Sequence, residues 1–395
     1  MADRRQGPAP IEYRWIDEQD DLDSVVALLA GQARYALDTE FHRERTYYPK
    51  LALIQVAWAG EQGQQLALID PLSVDVTVFE QVFSSDALCV IHAAQQDLDV
   101  LTHACGTVPR RIFDTQLAAG FTGYGTPSLV SLLQGEIGVT PAKGDRLTDW
   151  LRRPLSEAQC QYAAIDVEYL LEVESRLRDQ LEQRGRLEWA EAAIGELQSK
   201  PVSGSNPDDA WLRLKDTRSL RPTARAVARS VAGWRERRAM RTDIPVRQVL
   251  PDLAILGVSQ RAPATLRELS QSRGIDDRHS RGGIAEEILA AVAEGKAATP
   301  PDAPKSNDDL DRNLRPAVAL ITAWVGQLAR DERIDTALLA TRADIVSLLR
   351  GDDDARLATG WRGAMLGDGI RDLVAGRRAL TFDGEGRLEL VPVGT

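Results

Sequence analysis

Asp38 and Glu40 stand two residues apart in ALDTEF, a spacing that places both carboxylates on one face if the segment is a strand. Two like charges on one edge repel each other. A hard divalent cation such as Mg²⁺ or Mn²⁺ supplies the compensating charge and accepts oxygen ligands. Asp97 lies at the start of the helical pattern in CVIHAAQQDLDVL, where the free N–H groups of a first turn favour an acid. Tyr162 and Asp166 in QCQYAAIDVEYL are one helical turn apart, so a phenol and a carboxylate project together. Each feature alone has a plainer explanation: a solvated strand end, a helix-capping acid, a tyrosine packed beside a surface aspartate. Their chemistry, if they meet, is metal-assisted hydrolysis.

The elements that must position these groups are readable from pattern. The runs ARYALDTEF, LALIQVAWA, QLALID and ALCVIH are short, apolar and bounded by polar residues, which predicts strands. Helical spacing follows in VVALL, TVFEQVF, DLDVLTHA and from Ser156 to about Leu187, with Ser156 placed as an N-cap. An α/β domain over residues 1–197 results. Ser, Gly, Pro and Asp concentrate at 198–210 and mark a linker. Helical patterns fill 211–296, a second linker covers 297–308, and a further helical unit occupies 309–395, ending in the polar-alternating tail RALTFDGEGRLELVPV.

Composition narrows the class of protein. The 395 residues imply two or three domains, and 43% hydrophobic with 27% charged residues is ordinary for a globular chain. No run has the length of a membrane span and the N-terminus has no signal-peptide core, which predicts a cytoplasmic protein without a membrane partner. Cys89, Cys105 and Cys160 have no zinc-ligand spacing and are expected to be buried thiols. The net charge of −11 argues against coating nucleic acid through bulk electrostatics. Locally the sign reverses: from Arg213 to Arg247, Arg225, Arg229, Arg235, Arg237 and Arg238 belong to a run of cations opposed in sequence only by Asp216, Glu236 and Asp243.

LDTEFHRERTYYPKLALIQVA, IHAAQQDLDVL and YAAIDVEYLL resemble the three ordered motifs of the DEDD exonucleases. The tyrosine four residues before the last aspartate resembles the DEDDy branch; the other branch has a histidine five residues before it, where this chain has Gln161. FDTQLAAGF and DWLRRPLSEAQ extend the similarity to the ribonuclease D family over roughly residues 11 to 190. The resemblance implies a ribonuclease H-like mixed sheet and a 3′ to 5′ exonuclease using two divalent ions, Mg²⁺ or Mn²⁺. It implies that Asp38 bridges both ions, Glu40 and Asp166 hold the first, and Asp97 supports the second largely through water. Tyr162 would orient the attacking water, and Glu40 would contact the terminal 3′ hydroxyl. His42 departs from the apolar residue common after the first motif, and His92 is expected to be structural.

LRPTARAVARSVAGWRERRAMRTDIPVRQVL with PATLRELSQSRGI resembles an HRDC domain, and the last unit resembles the further helical domain of ribonuclease D. The fold class expected is therefore an α/β exonuclease domain followed by all-α HRDC and HRDC-like domains. The resemblance implies that the cationic run contacts RNA phosphates, with a packing role as the alternative; Arg43, Arg45, Tyr47 and Tyr48, after Glu40, combine cations with aromatic faces, which suits backbone contact and base stacking or ordinary surface packing. Lys143, Asp149 and Trp150 are expected to border the substrate channel. The partner implied is RNA with a free 3′ end, transfer RNA precursors above all, acted on by a monomer. A DNA exonuclease of the same superfamily and a non-catalytic RNA-binding scaffold are the alternatives.

Overall fold

A computed structural model describes residues 10–61, 63–141, 148–200, 206–304 and 310–394. The first unit opens with β1 (Arg14–Ile16) and α1 (Gln19–Ala30). The antiparallel strands β2 (Arg34–His42), β3 (Lys50–Gly60) and β4 (Gly63–Ile69) follow. The short helix α2 (Glu80–Phe83) then leads to β5 (Leu88–Ile91), α3 (Gln95–Cys105), β6 (Ile112–Asp114), α4 (Thr115–Ala119) and α5 (Leu129–Ile137). Three helices close the unit: α6 (Glu157–Glu168), α7 (Leu170–Gln183) and α8 (Leu187–Gln198). The sheet is mixed, in the order β1-β4-β3-β2-β5-β6, with β2 central and β5 parallel to it. The edge strands β1 and β6 have three residues each, too few for alternation to reveal them in sequence.

Alternation along β2 separates two cores. Leu37 faces one, with α1, α3 and α7; Ala36 faces the other, with Ala163, Ala164 and Val167 of α6. Small residues on both sides of that second contact let α6 lie close to the sheet. Ser156 caps α6 as its sequence position suggested, in a reciprocal pair with Gln159. All three cysteines are free and buried.

The second unit comprises α9 (Pro222–Thr242), α10 (Val246–Val249), α11 (Asp252–Arg261), α12 (Leu266–Ser270) and α13 (Gly282–Ala297) around its own core, which includes Trp211, Val231, Ile255 and Ile288. Helix α8 already reaches Gln198, and a 3₁₀ turn at Pro207–Arg213 puts Ala210 and Trp211 in this core. The connection is thus shorter than the 198–210 expected from composition.

The third unit contains α14 (Arg315–Glu332), α15 (Thr336–Leu339), α16 (Arg342–Arg350), α17 (Gly360–Arg362) and α18 (Asp368–Val374). It is not helical throughout: the polar-alternating tail pairs as an antiparallel hairpin, β7 (Arg378–Phe382) with β8 (Leu388–Pro392). Nor does it stand apart, because Val318, Ile321, Val325 and Leu339 join the exonuclease core in one cluster. Trp361 stacks on Trp189 with ring centroids 4.9 Å apart and meets Phe121 edge-on at 5.4 Å. Arg186, 8% exposed, donates to the carbonyls of Phe121 and Glu332 and to the Glu332 carboxylate. At Gly120 a Cβ would fall 2.5 Å from Leu338 Cδ1, so a larger residue here would have to displace that side chain. Among the described residues, no helix is long and apolar enough to cross a membrane.

Because the first and third units share a core, Trp361→Ala is expected to cost about 3 kcal/mol and to lower the urea midpoint of both together. Tryptophan fluorescence and circular dichroism would follow the transition; an unchanged midpoint would show that the aromatic contact does not join the units energetically.

Candidate active site

The centre of the sheet carries the acids. Asp38 and Glu40 project from β2 on the face covered by α6, and Asp166 meets them from that helix. Carboxylate oxygens of the three lie within 4.8 Å of one another, and all three side chains are part-buried. The alanines beneath α6 make this meeting possible: a larger side chain at Ala163 or Ala164, both fully buried, would lift Asp166 away. Asp97 approaches from α3 on the other side, 6% exposed, with its Oδ1 accepting a 2.5 Å hydrogen bond from Thr39 Oγ1. Thr39 sits between the two catalytic-strand acids but points to the opposite face, and so ties α3 to β2.

Electrostatics follow from this crowding. Burial, then the charges of Asp97, Asp166 and Glu40, hold the Asp38 carboxyl well above the ordinary range. Glu40 is pushed up to about 8 by burial and by Asp166 and Asp97. Burial raises Asp97 to about 7 against the opposing Thr39 hydrogen bond. Three clustered, mutually repelling hard oxygen donors fit a divalent cation of the Mg²⁺ or Mn²⁺ kind.

The site is framed by less obvious residues. Asp114, 3% exposed, accepts from the backbone N–H groups of Ala93, Ala94, Gln116 and Leu117, joining the starts of α3 and α4. Ala93 is held in the left-handed region at φ 61° by that arrangement, and the turn it makes aims Asp97 inward. Arg153 pairs with both carboxylate oxygens of Asp70 and donates to the Ala52 carbonyl at the irregularity in β3 opposite Glu40. It anchors the segment entering α6. Sequence reasoning noted Asp114 only as part of a motif and missed Arg153 and Thr39, because their partners are distant in the chain.

Tyr162 faces Trp150, with ring centroids 6.0 Å apart. Both line a groove of about 1010 Å³ that also includes Asp149, Arg152, Arg153 and Ile165. Lys143 lies outside the described residues. Gln161 is structural: its amide exchanges two hydrogen bonds with the Ile11 backbone. His92 Nδ1 meets Thr115 Oγ1 at 2.9 Å, and burial lowers its pKa, which keeps the ring neutral.

The cationic run is less available than its sequence suggested. Arg235 is 4% exposed and bound to Asp252 and the Leu250 carbonyl, because helical spacing places it on the same face as Ala228, Val231, Ala232 and Ala239. It holds the second unit together and cannot reach phosphate in this arrangement. Arg238 pairs with Glu287 of α13, Arg237 with Asp208, and Arg225 with the Leu220 and Pro301 carbonyls. Arg229 is exposed. Arg43 is bound to Gln96 and Asp99, and Tyr48 packs on His103, all on α3.

A mixed sheet carrying this acidic cluster beside an open groove defines a 3′–5′ exonuclease, and residues 13–182 match the family of that description. Residues 224–292 match the HRDC domain. Ribonuclease D of Jannaschia sp. (strain CCS1) is 35% identical over 384 residues, covering 96% of this chain and 99% of that protein. Ribonuclease D of Escherichia coli (strain K12) is 32% identical over 92% of this chain and 99% of its own length. The crystal structure of Escherichia coli RNase D, described as an exoribonuclease involved in structured RNA processing, superposes with a TM-score of 0.82 at 30% identity. It covers 93% of this chain and 99% of that one. The chain belongs to the ribonuclease D family, and is an enzyme of the 3′–5′ exoribonuclease class.

The raised carboxyl groups set a pH dependence. Glu40 and Asp97 titrate at about 8 and 7 in the folded chain, but at about 4 when unfolded. Between those limits the native state binds more protons than the unfolded one, so stability without a cation falls as pH rises. A divalent cation competes with these protons and binds more tightly across the same window. We expect Mn²⁺ to raise the unfolding temperature more at about pH 8 than at about pH 6, as read by calorimetry. Equal increments at both pH values would remove these carboxylates as the cation site.

Proposed function

We propose that this chain removes nucleotides one at a time from the 3′ end of RNA, releasing nucleoside 5′-monophosphates, with two divalent cations held by its acidic cluster. The reading is carried by the convergence of Asp38, Glu40 and Asp166 within 4.8 Å, beside a groove walled by Tyr162 and Trp150. Bound divalent cations would supply the positive charge that steadies the entering and leaving oxygens of phosphodiester hydrolysis.

The chain's own residues then divide the work. Asp38, central in the cluster, would serve both cations, Glu40 and Asp166 would hold the first, and Asp97 would support the second. The Tyr162 phenol hydrogen-bonds the attacking water and aims it at phosphorus, acting as an orienter because a phenol is a weak base at neutral pH. Glu40, at the end of β2, also contacts the terminal 3′ hydroxyl and so selects a free end. Trp150, largely buried beside Tyr162, borders the substrate groove. On the HRDC unit, Arg229 and Arg237 are the exposed members of the five arginines expected from sequence to bind RNA, and meet its backbone. The substrates are structured RNAs such as transfer RNA precursors, and the enzyme works as a cytoplasmic monomer. The full-length similarity to an Escherichia coli enzyme of structured RNA processing supports that choice over DNA.

With Mg²⁺ or Mn²⁺, purified protein is expected to shorten 3′-hydroxyl RNA in single-nucleotide steps, and a 3′-phosphate to block it. Asp38→Asn should lower kcat at least about a thousandfold, and Tyr162→Phe about a hundredfold with KM little changed. Gel analysis of end-labelled RNA beside DNA of matched sequence measures both claims. Retained activity in Asp38→Asn would overturn the site; equal digestion of DNA would overturn the substrate class.

A further inference from the structure

Arg43, Glu44, Arg45, Thr46, Tyr47, Tyr48 and Pro49 join β2 to β3 immediately beyond Glu40. Only Pro49 at the end of this loop is buried, and residues 43–48 are exposed or part-buried, so their conformation depends on what they bind. On one side it binds α3, the helix that carries Asp97. Arg43 reaches Asp99 at 3.1 Å and Gln96 at 3.2 Å, and the Tyr48 ring lies 4.5 Å from that of His103.

On its other side it binds the HRDC unit. The backbone N–H groups of Tyr47 and Tyr48 both donate to Asp243 Oδ1, each at 3.0 Å. The Tyr47 hydroxyl donates to Glu236 Oε1 at 2.7 Å, and Glu236, 4% exposed, is steadied by Arg213 at 2.6 Å. Asp243 caps α9 in the left-handed conformation, φ 48° and ψ 46°. A side chain rarely adopts that conformation, although aspartate is among the residues that tolerate it, and here it turns the carboxylate toward the loop. Two consecutive N–H donors converging on one anionic oxygen make a pair of charge-assisted hydrogen bonds.

We propose that Asp243, assisted by Glu236, is a positioning residue for hydrolysis: the HRDC unit holds the 43–49 loop against α3 and thereby sets the geometry between Glu40 and Asp97. The inference rests on the catalytic site proposed above. It gives the HRDC unit a part in turnover that does not require the unit to touch RNA. Arg43 and Tyr48, read from sequence as RNA contacts, are members of the same brace.

A small chromogenic substrate separates this role from RNA binding. The p-nitrophenyl ester of a nucleoside 5′-monophosphate is short enough to occupy the cleft alone, and its hydrolysis by water releases p-nitrophenol. Asp243→Gly removes the carboxylate while relieving the left-handed backbone. In the full-length protein with Mn²⁺, it is expected to lower kcat on this ester about tenfold with KM within about twofold. Asp243→Asn keeps a carbonyl acceptor and should restore kcat to within about threefold of the parent. Tyr47→Phe, which loses only the Glu236 bond, should lose about threefold. Arg278→Ala, elsewhere on the HRDC surface, should match the parent. Unchanged ester hydrolysis in Asp243→Gly overturns the inference, as does an Asp243→Asn loss equal to that of Asp243→Gly. Asp38→Asn distinguishes the two levels of argument: ester cleavage surviving in it removes the catalytic site itself, whereas its abolition beside a fully active Asp243→Gly removes only the brace.

Discussion

Like charges held together against their repulsion are the constraint on which this structure turns. Asp38, Glu40 and Asp166 bring oxygens within 4.8 Å, and Asp97 adds its field from across β2. Nothing in the cluster is favourable by itself, so the surrounding fold must supply the cohesion. It does so with ordinary means: alanines that let α6 approach the sheet, a threonine hydrogen bond that fixes Asp97, and an Asp114 carboxylate that gathers four N–H groups at two helix starts. Activity in this family of geometry is thus bought with stability around the site, as strained functional centres generally require.

The three units stand in different relations to that centre. The third unit completes the exonuclease core through Trp361, Leu339 and the Arg186 bridge, and belongs to the same cooperative body. The HRDC unit has its own core and meets the catalytic unit through polar contacts at the loop after Glu40. Hydrophobic continuity makes the first relation rigid. A few hydrogen bonds to the carboxylates of Glu236 and Asp243, each of about 1.5 to 3 kcal/mol, leave the second adjustable.

Much of the site was legible because its signals are local. The period-two spacing of Asp38 and Glu40 and the i, i+4 spacing of Tyr162 and Asp166 are properties of a few consecutive residues, and both segments have the conformation those periods predict. Arg153 and Asp70 are 83 residues apart, and Tyr47 and Asp243 are 196 apart, so neither pairing leaves a local trace. The cationic run misled for a related reason. Arg235 counts toward charge in sequence, yet helix periodicity turns it inward onto Asp252, and Asp208 and Glu287 neutralise its neighbours Arg237 and Arg238 from other elements. Charge is additive along a chain, but its availability is decided by the face on which each residue falls.

The acidic character of the chain and the anionic character of RNA pose one further problem with one solution. A net charge of −11 and a cleft of carboxylates repel a polyphosphate, and most arginines of α9 are already paired. A divalent cation in the cluster reverses the local field, relieving carboxylate repulsion and phosphate repulsion together. Cation and RNA binding must then be linked, each tightening the other by the same factor, since coupling free energies are reciprocal. The carboxylates consequently govern recognition as well as chemistry: a chain that cannot gather the cation presents RNA with a wall of negative charge, however many arginines its outer surface carries.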